Sequence, residues 1–129
     1  MINLFNIPNY TIDTSTFSHY LHGNIVEEFE TAFKEYVGAK YACSINSATN
    51  AIFLALLNKN TTINVPSMIP PVVLNAILTS GNKIKFTDDT EWVGDSYVLH
   101  DFGDYKIIDS AQKVHHGQFI KEANDNDLM

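Results

Sequence analysis

The sequence predicts an α/β fold: a mainly parallel sheet with helices on its faces. Three observations predict it. Short apolar runs of strand length alternate with segments whose apolar residues recur every three or four positions. Strands separated by helices imply right-handed crossovers and parallel neighbours. The 129 residues are 45% hydrophobic and 18% charged, enough for an ordinary core in one domain without staples.

The elements follow in order. Residues 1–20 are polar and mixed, with Pro8 and a Thr/Ser/Asp cluster from Thr11 to Ser18, and read as an irregular arm. Gly23 and Asn24 open a helix in which Ile25, Val26, Phe29, Phe33, Tyr36 and Val37 make one apolar stripe. Glu27, Glu28 and Glu30 suit its positive N-terminal end, and Gly38 is placed to stop it. Tyr41 to Ile45 is a short apolar run expected as a buried strand, with Cys43 a buried, inert thiol inside it. Asn46-Ser47-Ala48-Thr49 then leads into a helix from Ala51 to Leu57 that is apolar on most sides and expected to be buried.

Thr61 to Val65 reads as the next strand, ended by Pro66-Ser67. Pro70 and Pro71 fit the first turn of a helix reaching Gly81, because a first-turn N–H has no intrahelical partner to lose. Lys83 to Phe86 returns as a strand ending at Asp88. An acidic loop from Asp89 to Asp95 carries the single tryptophan, Trp92. Tyr97 to Leu99 and Tyr105 to Ile108 are two further strands, the second ending at Asp109, and the residues from Lys121 onward are polar and weakly patterned.

Composition excludes several function classes. All eight basic residues are lysines and the formal net charge is −7, so the basic face of a nucleic-acid binder is not expected. Without arginine, no bidentate guanidinium clamp on a carboxylate can form. One cysteine excludes an intrachain disulfide and a cysteine-rich zinc site. No run of about 18 apolar residues suggests a membrane span, and the start lacks the basic and apolar regions of a secretory signal. The expectation is a soluble domain of the reducing cytoplasm with no membrane or nucleic-acid partner.

Ligands of open parallel sheets bind at the carboxyl ends of strands, where three groups stand out. Ser47-Ala48-Thr49 lies between a strand and a helix, where free N–H groups can cradle a phosphate; equally, Ser47 or Thr49 can simply cap the helix. Asp109 ends an apolar strand and needs a partner, either a cationic ligand nitrogen or a lysine, N–H or water. Gln112 follows three residues later and faces the same pocket if a turn follows the strand. His19, His22, His100, His115 and His116 do not show metal-ligand spacing, so no metal site is expected. Asp88-Asp89 reads as a solvated strand end rather than an acid/base pair.

Four stretches together resemble the N-terminal part of the DegT/DnrJ/StrS-type sugar aminotransferases, which use pyridoxal 5′-phosphate (PLP). They are Gly23 to Glu30 with Tyr36 to Tyr41; Ser44-Ile45-Asn46-Ser47-Ala48-Thr49-Asn50-Ala51; Val65-Pro66-Ser67-Met68 with Asn75 to Leu78 and Phe86-Thr87-Asp88; and Ile108-Asp109-Ser110-Ala111-Gln112. The resemblance implies a three-layer, truncated aspartate-aminotransferase-like large domain of PLP fold type I, with residues 1–22 as an arm and 23–129 as a partial cofactor-binding domain. It implies that Ala48 and Thr49 hold the PLP phosphate, Asp109 pairs with the protonated ring nitrogen and Gln112 reaches the ring hydroxyl. Pro70 stands where relatives often stack an aromatic ring on the cofactor. It further implies transamination of a nucleotide-linked keto-sugar by an amino-acid donor, in a homodimer.

Two departures qualify the implied activity. The family's Schiff-base lysine lies beyond the aspartate motif and none of the eight lysines matches it, so no catalytic residue is assigned and the chain alone is expected to be inactive. The stretch between Asp88 and Asp109 is also shorter than in relatives. The alternatives are a non-catalytic anion-binding or dimer-partner domain, and part of a PLP-dependent sugar dehydratase.

Overall fold

The computed structural model describes residues 10–16 and 23–129. Most of the expected arm, residues 1–9 and 17–22, lies outside the described residues. Within the arm, Thr14–Thr16 form a short 3-10 turn. Asp13 organises its start by accepting from the Ser15 N–H at 2.9 Å and the Ser15 hydroxyl at 2.6 Å.

Helix α1 spans Ile25–Val37. Its end is set by Gly38, which adopts φ 79° and donates its N–H to the Lys34 carbonyl at 2.8 Å. Only glycine enters this left-handed conformation without strain. A Cβ at Gly38 would also overlap the Ile120 side chain, which packs there from helix α4 (Gln118–Glu122). The predicted apolar stripe exists but is uncovered among the described residues: Ile25, Val26, Phe29, Phe33 and Tyr36 are exposed and only Val37 is buried.

The expected strand over Tyr41–Ile45 is not formed. The segment has no regular secondary structure and no ladder partner among the described residues, and Tyr41 is 77% exposed. Cys43 is exposed as well, contrary to the expectation of a buried thiol. An apolar run signals a strand only when another strand supplies hydrogen-bond partners; here the Ser44 N–H donates instead to the Glu30 carboxylate.

The next four elements follow the expected order: α2 (Ala48–Leu56), β1 (Thr62–Pro66), α3 (Pro71–Thr79) and β2 (Lys83–Thr87). Strands β1 and β2 pair in parallel from Thr62 opposite Lys83 to Pro66 opposite Thr87. Helix α3 is the crossover between them, with Pro71 at its first position. Helices α2 and α3 pack together and bury Ile52, Leu56, Val73, Ala76 and Ile77 against Ile63 and Val65. Asn82 ties this unit together from a buried position. Its amide donates to the Leu56 carbonyl at 2.8 Å and the Ser80 hydroxyl at 2.9 Å, and accepts from the Thr61 N–H at 3.0 Å.

The last two strands, β3 (Tyr97–Asp101) and β4 (Lys106–Asp109), depart from the mainly parallel sheet expected. They form an antiparallel hairpin. The connection from Phe102 to Tyr105 explains the difference, because a parallel crossover needs about a dozen residues or more. Tyr97 faces Asp109 and Val98 faces Ile108, after which a bulge shifts the register so that His100 faces Ile107. Leu99 and Ile107 join the same core as β1, so both two-stranded sheets share one interior. Leu128 bridges to Ile107 in parallel, extending the hairpin on the far side of β4. No helix among the described residues is long and apolar enough to cross a membrane. The architecture is a small α/β unit with one short parallel sheet, one antiparallel hairpin and flanking helices.

Candidate functional site

Ser47, extended at φ −162° and ψ 151°, caps α2. Its Oγ accepts from the Asn50 N–H at 3.2 Å, and its carbonyl accepts the first helical bond, from Ala51, at 3.1 Å. The capping reading therefore holds for Ser47. It leaves open the cradle reading, because Ala48 and Thr49 precede Ala51, the first N–H to donate within the helix. Both residues line a cavity of about 160 Å³ at the helix start.

Asp109 and Gln112 line the same cavity. A turn follows β4, as required: the Ala111 N–H donates to Asp109 Oδ1 at 3.0 Å, and the Lys113 N–H donates to the Ser110 carbonyl at 3.1 Å. Residues Ala48, Thr49, Asp109 and Gln112, which span more than sixty positions of sequence, thus face one space. Ile52, Pro70, Val72 and Val73 give it apolar walls. The cavity is smaller than the roughly 300 Å³ at which ligand pockets usually begin, so it has room for only part of a drug-sized molecule.

Asp109 is half-buried and forms no ion pair among the described residues. Its second oxygen, Oδ2, accepts from the Tyr97 hydroxyl at 2.9 Å. Burial first, and then the neighbouring Asp109 charge, push the Tyr97 phenol far above its ordinary range, so it stays a donor. The Tyr97 ring meets Trp92 edge-on, centroids 5.4 Å apart. Trp92 is buried, lines the same cavity, and its indole N–H has no acceptor among the described residues; the buried Ser110 hydroxyl likewise has none.

Two adjacent contacts fix the loop carrying Trp92 to the aspartate turn. Gln112 Oε1 accepts from the Gly94 N–H at 2.5 Å, and the Lys113 ammonium lies 2.6 Å from Asp95 Oδ1. The first contact leaves the Gln112 Nε2 as the free donor. The second holds the Asp95 carboxyl below its ordinary range, chiefly through the Lys113 hydrogen bond, and raises Lys113 in return. Both groups are solvent-facing, so the pair directs the loop more than it stabilises the fold.

Trp92, Asp95 and Tyr97 are the lining residues that sequence reasoning missed. Trp92 was visible as a lone tryptophan in an acidic loop, and a buried aromatic is a common wall of a site. Tyr97 gave no signal, because its role depends on the cross-strand register. Among the described residues no three His, Cys, Asp or Glu side chains converge as a metal-ligand set. His115 instead faces the Glu122 carboxylate at 3.1 Å, and His116 meets the Tyr36 ring edge-on. Among the described residues no lysine lines the cavity.

Comparison with known proteins matches part of the chain. The sequence model of the DegT/DnrJ/EryC1/StrS aminotransferase family matches residues 8–93, a span that contains Ala48 and Thr49 and ends before Asp109. Two curated relatives are each named UDP-4-amino-4,6-dideoxy-N-acetyl-beta-L-altrosamine transaminase. The one from Campylobacter jejuni subsp. jejuni serotype O:23/36 (strain 81-176) is 41% identical over 69 residues, covering 51% of this chain and 18% of that protein. The one from serotype O:2 (strain ATCC 700819 / NCTC 11168) is 39% identical over 69 residues, with the same coverage. The matched region is therefore less than a fifth of the length of these relatives. No solved structure matches significantly.

Proposed function

Since the chain belongs to the DegT/DnrJ/EryC1/StrS aminotransferase family, we propose that its cleft binds PLP and serves transamination of a nucleotide-linked keto-sugar. One observation carries the reading: Ala48, Thr49, Asp109 and Gln112 line a single cavity. The donor and acceptor chemistry fits the cofactor. Free N–H groups at the start of α2, with the Thr49 hydroxyl, suit the phosphate, and the helix dipole adds about 0.3–1 kcal/mol for an anion. An Asp109 carboxylate without a lysine partner among the described residues suits a protonated ring nitrogen. The buried, unpartnered Trp92 N–H adds a donor to a wall that would meet an oxygen-bearing ligand.

In this reading each residue has a definite task. Ala48 and Thr49 hold the phosphate. Ile52, Pro70 and Val73 flank the ring and exclude water. Asp109 keeps the proton on the ring nitrogen, and Gln112 donates Nε2 to the ring hydroxyl while Gly94 occupies its Oε1. When bound, PLP supplies the electron sink that stabilises negative charge at the carbon bearing the amino group. The relatives' printed names point to a UDP-linked amino-dideoxy sugar as the product, formed from the corresponding keto-sugar, and an amino acid is the donor in this reading. The α/β unit is read as part of a three-layer, aspartate-aminotransferase-like large domain over residues 23–129, preceded by an arm over 1–22. A second copy of the chain would enlarge the small cleft, as a homodimer requires, and the cytoplasm is the setting that fits such a substrate.

The test is a PLP titration followed by the emission of Trp92, the only tryptophan. We expect saturable quenching. Because no lysine lines the cavity, the cofactor should dialyse away even after borohydride treatment. Asp109→Ala should weaken binding about tenfold or more, the scale of losing a charge-assisted hydrogen bond. Unchanged affinity in that variant would overturn the cofactor assignment. PLP retained after borohydride would show that one of these lysines reaches the site.

A further inference from the structure

We propose that Tyr97 is a positioning residue for Asp109: its hydroxyl holds the carboxylate in one orientation, leaving lone pairs for a cationic nitrogen in the cleft. The identity of that cation rests on the cofactor reading above; the Tyr97–Asp109 arrangement does not.

Tyr97 and Asp109 are direct partners across the β3–β4 pair, so their side chains share one face of the hairpin. The Tyr97 hydroxyl donates to Oδ2 at 2.9 Å while the Ala111 N–H donates to Oδ1 at 3.0 Å. A carboxylate offers about four acceptor sites, so these bonds leave about half of them free. Both donors are neutral. They restrict rotation of the carboxylate and offset part of its desolvation without cancelling its charge. A lysine in the same place would orient Asp109 equally well but neutralise it.

Tyr97 is suited to the task on two further counts. Its ring is wedged edge-on against the buried Trp92, so the hydroxyl has little freedom to swing away. Burial and the adjacent carboxylate also oppose loss of its proton, so it remains a donor through the neutral range. Tyr97 itself lines the cavity, so orientation of Asp109 and shape of the cleft are set by one side chain.

The test is a double-mutant cycle on PLP affinity, read from Trp92 emission, with Tyr97→Phe, Tyr97→Leu, Asp109→Asn and the Tyr97→Phe/Asp109→Asn pair. Tyr97→Phe keeps the ring and removes only the hydroxyl. We expect affinity to fall about five- to tenfold in Tyr97→Phe, with no further loss when the same change is made in Asp109→Asn. Wild-type affinity in Tyr97→Phe, with loss only in Tyr97→Leu, would mean that the ring merely packs, and would overturn the proposal. An equal loss in both backgrounds would overturn it too. If wild type and Asp109→Asn bind PLP alike, or neither binds, the cofactor reading fails separately. The pair is then judged by the ionisation of Tyr97, followed by NMR of tyrosine labelled at the phenolic carbon and assigned through Tyr97→Phe. Earlier ionisation in Asp109→Asn than in wild type supports the arrangement, and identical ionisation overturns it.

Discussion

Helices α1 and α2 are both read from apolar residues at helical spacing, α1 as a single stripe and α2 as apolar on most sides, and they meet opposite fates. Both have apolar residues at helical spacing and both form. In α2 that spacing places Ile52 and Leu56 in the interior, where α3 and β1 are waiting. In α1 the stripe of Ile25, Val26, Phe29 and Phe33 faces outward among the described residues, and the helix meets the others mainly through α4 at its C-terminal end. Periodicity specifies that a helix has an apolar face. It does not specify what covers that face, and only the covered helix contributes core stability and a site.

The sharpest way to break this comparison is to truncate one residue from each helix. Leu56 is fully buried, so Leu56→Ala should cost about 2–5 kcal/mol. Phe29 is 59% exposed, so Phe29→Ala should change stability by no more than about 0.5 kcal/mol. Urea unfolding of the two variants checks both. A loss of similar size in Phe29→Ala would mean that α1 is covered in solution.

Asn82 comes next in size and tests whether the α2–β1–α3–β2 region acts as one unit. Its amide joins the end of α2, the entry to β1 and the turn before β2. Asn82→Ala leaves the Leu56 carbonyl and the Thr61 N–H without this partner, at a cost of about 1–3 kcal/mol. Hydrogen exchange should show the loss at Thr61 and along the β1–β2 ladder together, with α1 unaffected.

The two regions also differ in how far they were legible in the sequence. The bounds of α1, β1, α3 and β2 fall within about two residues of those expected, because periodicity, Pro71 and Gly38 are local signals. Ala48, Thr49, Asp109 and Gln112 were visible because strand ends and helix starts are where a parallel α/β unit exposes polar groups. The antiparallel hairpin was not read, although the connection from Phe102 to Tyr105 is too short for a crossover. Once that pairing was missed, the meeting of Tyr97 with Asp109 was out of reach, since it exists only through register. The same holds for the path of the loop that brings Trp92 and Asp95 to the cleft.

Strand partners repeat the contrast between covered and uncovered segments. Leu128 exchanges backbone bonds with β4, accepting from Ile108 at 2.7 Å and donating to Lys106 at 2.9 Å. Asp127 anchors that pairing, since its carboxylate accepts from the Asn124 N–H at 2.8 Å and the Lys106 N–H at 2.7 Å. These backbone bonds, Asn124 first, hold its pKa below the ordinary value. A depressed folded pKa means that the stabilisation is present above the unfolded value, about 3.9, and is lost as pH falls through the lower folded one. Asp127→Asn should remove about 1 kcal/mol at neutral pH and flatten this acid limb, read as protection of the Lys106 amide against pH.

The smallest effect is expected where nothing is packed. Cys43 sits in the segment that reads as a strand yet has no ladder partner among the described residues, and its thiol is exposed. Cys43→Ser should therefore leave stability unchanged within about 0.5 kcal/mol. The wild-type thiol should react with a small disulfide reagent about as fast in buffer as in denaturant. Slow reaction that denaturant accelerates would show that the segment is covered in solution. A strand partner would then have to be supplied from outside residues 10–16 and 23–129, by a second copy or by other sequence. In that case Tyr41–Ile45 would be the strand its composition describes, and α1 could gain a cover that it lacks among the described residues.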